Sequence, residues 1–303
     1  MRIGINGSSL LARPDLDAIV ANMADAESSG FTSYWLAQTG LIDPLHCFTA
    51  ARAATSSIEL GTAVVPTWPR HPQALAASAL ASQAATGGRL VLGIGLAHQP
   101  SVEDRWKMEW KQPIRHMLDY LDVLLPLLES GEAHHEGEVW SYDGEAARIT
   151  DQAPSVMLAA LGDQMLKIAG RRTDGTILWC VGPKTLERQI VPGITTAADA
   201  AGRPAPRVVC SLPVWVTDRP DEARALVAKS LTIYGQLPSY RAMLDIEGVE
   251  GPADISLIGD AETVHAGLTE IAAAGATDFT AVVQGFDPDE VCHGWEALSG
   301  WSA

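Results

Sequence analysis

The sequence predicts a (β/α)8 barrel with insertions after its fourth and seventh strands, and three observations carry that expectation. Apolar, β-branched runs alternate with helical patterns along the whole chain. The segment Ile58 to His98 shows the repeating unit without interruption: a buried strand, a turn, a helix and a second buried strand, so the two strands must be parallel and covered on both faces. The 303 residues, 47% of them hydrophobic, suit one barrel with insertions and can fill its core, so residues 1–303 are expected to form a single domain.

Each element has its own signal. Strand 1 covers about Arg2 to Asn6, and the helix after it places Leu16, Ile19, Val20, Met23 and Ala26 at helical spacing before Gly30. Strand 2 is about Ser33 to Ala37, with a helix from Pro44 to Ala54. Strand 3 runs from Ile58 to Val65 and ends at Pro66, and the prolines of Thr67-Trp68-Pro69-Arg70-His71-Pro72 forbid a regular element there. An Ala-rich helix from Gln73 to Ala85 stops at Gly87-Gly88 and leads into strand 4, Arg89 to His98. The first insertion holds the charged, tryptophan-rich piece Gln99 to Gln112 and an amphipathic helix with Ile114, Met117, Leu118, Leu121, Leu124, Leu125 and Leu128 on one stripe. Gly137-Glu138-Val139-Trp140-Ser141-Tyr142 then reads as an inserted hairpin. Strands 5 to 8 are Ser155 to Leu161, Gly175 to Val181, Arg207 to Val216 and Asp278 to Gln284. The helix between strands 5 and 6 spans Gln164 to Arg171, and those before strand 8 begin near Pro220 and cover Glu262 to Ala274. Tyr234 to Ser256, punctuated by Gly and Pro, reads as an irregular loop able to cover the barrel mouth.

Charge and cysteine usage narrow the function. A net charge of -16 argues against nucleic acid or an anionic membrane surface as partner, since both need a basic patch. Cys47, Cys180, Cys210 and Cys292 lie far apart with no Cys-x-x-Cys, so neither a disulfide framework nor a structural metal is expected, and a reducing cytoplasm fits. The start of the chain lacks signal-peptide character, and no stretch approaches the ~18 uncharged apolar residues of a membrane helix. The apolar patches that barrel helices leave make a homodimer the default expectation.

Barrel enzymes keep their chemistry at the C-terminal ends of the strands, where this chain has Arg70, His71 and His98. His98 follows Gly93-Ile94-Gly95, which lacks the third glycine and helix start of a dinucleotide fingerprint; it reads as a proton carrier or as a surface histidine. In Ala159-Ala160-Leu161-Gly162-Asp163-Gln164-Met165 a strand ends just before a helix, whose first-turn N–H groups either bind a phosphate or are capped by Asp163. His134-His135-Glu136 reads as a solvated loop rather than a metal cluster, because adjacent histidines point apart. Trp106, Trp110 and Trp140 line a pocket or hold the insertion on the barrel.

These residues resemble the luciferase-like flavin and deazaflavin oxidoreductases, the bacterial luciferase-like monooxygenase superfamily. The resemblance covers nearly the whole chain. It rests on Leu60-Gly61-Thr62-Ala63-Val64 with Arg70-His71-Pro72, on Gly88-Arg89-Leu90-Val91-Leu92-Gly93-Ile94-Gly95, and on Ala159-Ala160-Leu161-Gly162 with Ala169-Gly170 and Asp174-Gly175. Ile258-Gly259-Asp260 and Ala274-Gly275-Ala276-Thr277-Asp278-Phe279 complete it. The pattern is most similar to the branch that uses coenzyme F420, a deazaflavin.

The resemblance implies a cis non-proline peptide between Ala63 and Val64 that bulges against the deazaflavin ring. It implies that Ala160, Leu161 and Gly162, with Gln164 and Met165, take the cofactor's phosphate and side chain, and that Trp179 to Gly182 border the same tail. Sugar-phosphate dehydrogenases of this branch carry a His at the end of strand 2 and a Glu after the strand 4 glycines, whereas this chain has Gln38 and Leu96. Sugar-phosphate oxidation is therefore not expected. His98 becomes the candidate proton carrier, and Gln38 a group that orients a carbonyl or the ring edge. The implied activity is hydride transfer between F420 and a small organic substrate; the alternatives are an FMN-dependent monooxygenase and a cofactor-binding barrel without turnover.

Overall fold

The alternation of apolar strands and capped helices closes into a parallel barrel, shown by a computed structural model that describes residues 1–301. The barrel strands are β1 (Arg2–Asn6), β2 (Ser33–Leu36), β3 (Glu59–Thr62), β4 (Leu90–Gly95), β5 (Ser155–Leu158), β6 (Gly175–Trp179), β7 (Arg207–Val216) and β8 (Asp278–Val283). Closure falls to β7, long enough to pair in parallel with both β6 and β8, while β8 pairs with β1. The short strand Leu257–Gly259 joins β7 beyond the end of β6. Around this wall the helices start where the sequence supplies acceptors: Asp15, Asp43, Asp260 and Asp287 each accept a first-turn N–H. No described helix is long and apolar enough to cross a membrane.

The barrel interior is filled from below by charge and in the middle by one ring. At the N-terminal ends of the strands, Arg207 reaches Glu59 at 2.8 Å and Asp278 at 2.9 Å, so the buried Asp278 is paired. Above this layer Trp35 is fully buried among Val91, Met157, Ile177 and Val209. Its indole N–H is satisfied by Ser33 Oγ at 2.9 Å. Room for the ring comes from Gly61, where an added Cβ would lie 2.2 Å from the indole. Ala63, Val64 and Ala159 pack on the same cluster. Trp35 therefore supports the floor of the mouth.

Three expectations need correction. Strand 3 does not run unbroken from Ile58 to Val65: β3 stops at Thr62, the Ala63–Val64 peptide is cis, and Val65–Pro66 resumes pairing beside β4. His134 and His135 are not in a loop. They lie on the strand Glu132–Glu136, antiparallel to Ser141–Glu145, and the two-residue alternation turns His135 inward to Asp119 Oδ1 at 3.2 Å. Tyr234 to Ser256 is helical rather than irregular, with helices Thr232–Gln236 and Pro238–Glu247 and a 3-10 turn Pro252–Ile255. Pro238 and Pro252 stand in first turns, where their missing N–H costs nothing, and Gly248 ends a helix at φ 79°.

His116, on the long helix Pro113–Glu129, ties the first insertion to the barrel. Trp140 Nε1 donates to its Nδ1 at 3.2 Å, so the ring proton sits on Nε2 and is donated to Thr67 Oγ1 at 2.9 Å. Trp68 and Tyr120 stack on the imidazole from either neighbour. With no side for water to enter, burial lowers its pKa to about 4, against a smaller opposing pull from Asp119.

Two outcomes are expected. Gly61→Ala forces a methyl into the Trp35 ring and should destabilise the fold by about 3 kcal/mol or more, read as a lowered denaturant midpoint; an unchanged midpoint would show that the ring is free to move. The second follows from His116, whose folded pKa lies below the unfolded value near 6.5. Its contribution is present above pH 6.5 and is lost as pH falls from there to about 4, on the order of 3 kcal/mol. His116→Gln should flatten melting temperature against pH across that window.

Candidate active site

At the C-terminal end of the barrel the chain builds a floor of backbone and small side chains. The bulge after β3 is pinned from β2: Ala63 N donates to Leu36 O at 2.9 Å, and Gln38 N donates to Val64 O at 3.2 Å. Beneath and beside it, a Cβ on Gly95 would come 2.8 Å from Val64 Cγ2, and one on Gly93 would strike Thr62 O. These glycines admit the bulge itself rather than leaving an open space. Gln38 is brought to this edge with its Oε1 buried and unpartnered. Such an acceptor is costly to leave unmade and awaits a donor.

Strands β4 and β6 end alike, in left-handed backbone on a residue with a side chain. Ala97 has φ 61° and Cys180 has φ 53°. A side chain in this region costs of order 1 kcal/mol and more, and such strain gathers at functional sites. The two turns place His98 and Trp179 at the mouth. Over them lie Tyr234 and Tyr240 from the two helices of the second insertion. Their rings meet the imidazole edge-on at centroid distances of 5.8 and 5.7 Å, and Tyr234 also meets Trp179 at 6.2 Å. Burial under these rings lowers the His98 pKa, so its imidazole is neutral at neutral pH.

Two helix starts border the site and differ in one respect. The helix Asp163–Arg172 follows Gly162 with no side-chain cap, so Asp163 does not cap it, and an added Cβ at Gly162 would meet nothing within 4 Å. Leu161 O is held by Gln189 Nε2 at 3.0 Å, Ala160 and Met165 are buried, and Gln164 is exposed at the rim. At Pro183–Thr185, by contrast, the buried Glu247 accepts from Lys184 N at 3.2 Å and from Thr185 N and Thr185 Oγ1 at 2.9 Å each. Gly182 therefore faces a carboxylate already in place, while the turn at Gly162 is open to an incoming anion.

Other polar residues of the sequence reading prove structural. Arg70 pairs with Asp43 at 2.7 Å, and His71 Nδ1 accepts from Gln73 N at the start of the next helix. Trp110 packs on Trp68, and Trp140 is bound to His116. Asp119, Asp122 and His135 lie within 4.8 Å of one another at their ligand atoms. Arg115 at 3.0 Å and Arg172 at 2.5 Å already balance the two carboxylates, and Val139 N donates to Asp119, so the group clamps the hairpin to its helix. Sequence reasoning missed Tyr234, Tyr240 and Glu247, because their segment gave no periodic signal.

Beyond this chain, the sequence and the barrel have known relatives. Residues 3–278 match the family model for luciferase-like monooxygenases. An uncharacterized protein of Mycobacterium tuberculosis, Rv1360, is 29% identical over 264 residues, covering 82% of this chain and 76% of its own. The 5,10-methylenetetrahydromethanopterin reductase of Methanopyrus kandleri is 24% identical over 297 residues, 83% of this chain and 84% of its own. The solved structure of that coenzyme F420-dependent reductase superposes with a TM-score of 0.78 at 20% identity, over 99% of this chain and 97% of its own. The oxygenating constituent of 3,6-diketocamphane monooxygenase from Pseudomonas putida, in complex with FMN, superposes at 0.79 and 18% identity, again over 99% and 97%. At such identities the superpositions establish the fold alone. The family match, which spans nearly all of the barrel, establishes more: this chain belongs to the luciferase-like monooxygenase family.

Proposed function

We propose that this protein is a coenzyme F420-dependent oxidoreductase acting on a small organic substrate. The observation that carries the reading is the pairing of an uncharged, apolar floor at Val64 and Ala159 with an uncapped helix start at Gly162. A flat ring needs the first and an anionic tail needs the second. Gln38 Oε1, buried without a partner, fits an N–H on the ring edge or a substrate hydroxyl. Likeness to the methanopterin reductase supports the deazaflavin over other cofactors.

When bound, the deazaflavin gives or takes hydride at its ring carbon. The chain's own residues do the rest. Ala63 and Val64 support the ring face, and the Ala160-Leu161-Gly162 turn with the amides of Gln164 and Met165 receives the phosphate. Trp179 and Gly182 border the tail. His98 is neutral at pH 7 and so accepts the proton when an alcohol is oxidised; in the reducing direction its donating form is populated only below its lowered pKa. A monooxygenase using FMN is the second reading, favoured by the equally good superposition on the diketocamphane enzyme.

Titration of the purified protein with F420 and with FMN separates the two: the deazaflavin is expected to bind at least about tenfold more tightly, a difference of about 1.4 kcal/mol. Tighter FMN binding would turn the assignment to the monooxygenase. On a confirmed alcohol substrate, kcat/KM should fall with pH at an inflection below 6.5. His98→Ala should remove that inflection and lower turnover by roughly 10²–10⁴-fold with cofactor affinity nearly unchanged. Wild-type turnover in this variant would make His98 an ordinary mouth residue.

A further inference from the structure

Resting on the proposed cofactor reading, we infer that Tyr240 is the hydrogen-bond donor for the oxygen of the substrate, an uncharged carbonyl compound or alcohol held beneath the two-tyrosine cover. Three observations meet at this residue. The first is place. Tyr240 packs edge-on against His98 at the end of β4 and against Tyr234 at 5.0 Å, and Tyr234 in turn meets Trp179 at the end of β6. Its phenol also lies near enough to Cys180 for the two to repel when charged. The ring thus bridges the ends of β4 and β6 across the mouth.

The second is an unused hydroxyl. The fully buried phenols have partners: Tyr34 donates to Asn22 Oδ1 at 2.9 Å and Tyr120 to Arg70 O at 3.0 Å. Tyr240 is half-buried, and among the described residues none makes a hydrogen bond with its Oη, which leaves the hydroxyl free to donate to a ligand at the mouth. Burial, with Tyr234 and Cys180 adding to it, pushes its pKa well above the usual phenol value. The group therefore stays a donor at every working pH. It can supply a hydrogen bond to a carbonyl or alcohol oxygen while neutral His98, alongside, receives a proton.

The third is that the cover is anchored. Glu247 ends the helix that carries Tyr240 and takes the amides of Lys184 and Thr185, while Thr185 Oγ1 also bonds to Met243 O at 2.9 Å. These polar contacts at the helix end fix the phenol's position from a distance. An uncharged substrate fits because the groups that line the cover, His98, Trp179, Tyr234 and Tyr240, are neutral at pH 7.

A ligand cycle tests this without turnover. Cyclohexanone and methylenecyclohexane have nearly the same shape, and only the ketone carries an acceptor. Each is titrated by saturation-transfer NMR into wild-type and Tyr240→Phe protein with oxidised F420 present at saturation. One hydrogen bond predicts that Tyr240→Phe weakens the ketone by about tenfold and the hydrocarbon by less than about twofold. Equal losses for both ligands would mean that the ring only packs, and no loss for either would mean that the hydroxyl faces elsewhere; both overturn the inference while leaving the cofactor reading intact. Failure of wild-type protein to bind F420 overturns the two together. Thermal melts of Tyr240→Phe within about 2 °C of wild type confirm that the phenyl ring still holds its place.

Discussion

One buried indole sets the height of everything above it. A barrel of eight parallel strands leaves an axial space that must be filled at close-packed density, and here Trp35 fills its middle layer with Val91, Met157, Ile177 and Val209 around it. That solution needs a glycine opposite the ring, supplied by Gly61 on the neighbouring strand. With the space below the mouth closed, Ala63, Val64 and Ala159 rest on the plug and form a partly buried apolar shelf. A ligand on this shelf meets side chains no larger than valine. Only backbone groups and the rim remain to give it polarity.

Charge is partitioned along the same axis. Glu59, Arg207, Asp278 and Arg2 gather at the N-terminal ends of the strands, where Arg2 reaches Asp278 at 2.5 Å. Around the shelf at the opposite end the polar side chains are an unpartnered amide, a neutral imidazole and two phenols, with Arg70 paired to Asp43 and Glu247 held by backbone amides farther out. Burial favours this division, since an unpaired ion under aromatic rings would cost several kcal/mol. The chemistry of the mouth is then that of neutral donors and acceptors. Hydride exchange suits such a site, because the charge that moves is carried by the cofactor and the protein has only to place oxygen and proton.

The barrel was legible in the sequence because its signals are local. Strands buried on both faces read as apolar runs, and helices of the barrel wall begin at aspartates and stop at glycines, as at Asp260 and Gly275. The break at Ala63–Val64 was visible only through resemblance, since nothing in the residue types marks it. The cover was hidden for a different reason. Helices of five and ten residues are too short to display a periodic stripe, and Gly235, Pro238 and Gly248 read as breakers although two of them stand at helix boundaries. His135 was misread because pairing with Ser141–Glu145 is a non-local event that residue order alone does not reveal.

Glu247 shows how such hidden elements shape a site that the barrel itself could have built otherwise. Two helix starts open on the mouth, and both present free amides in the bare fold. A carboxylate brought in by the second insertion closes one of them, leaving the turn at Gly162 as the single uncapped start of the pair. The insertion thereby does two things with one helix. Its C-terminal end removes a competing anion site, and its N-terminal half lays aromatic edges over His98. Because one helix carries both groups, the closed start at Gly182 and the covered mouth at His98 are fixed relative to each other, so an anionic tail is left the turn at Gly162 and a reaction partner the space beneath the rings.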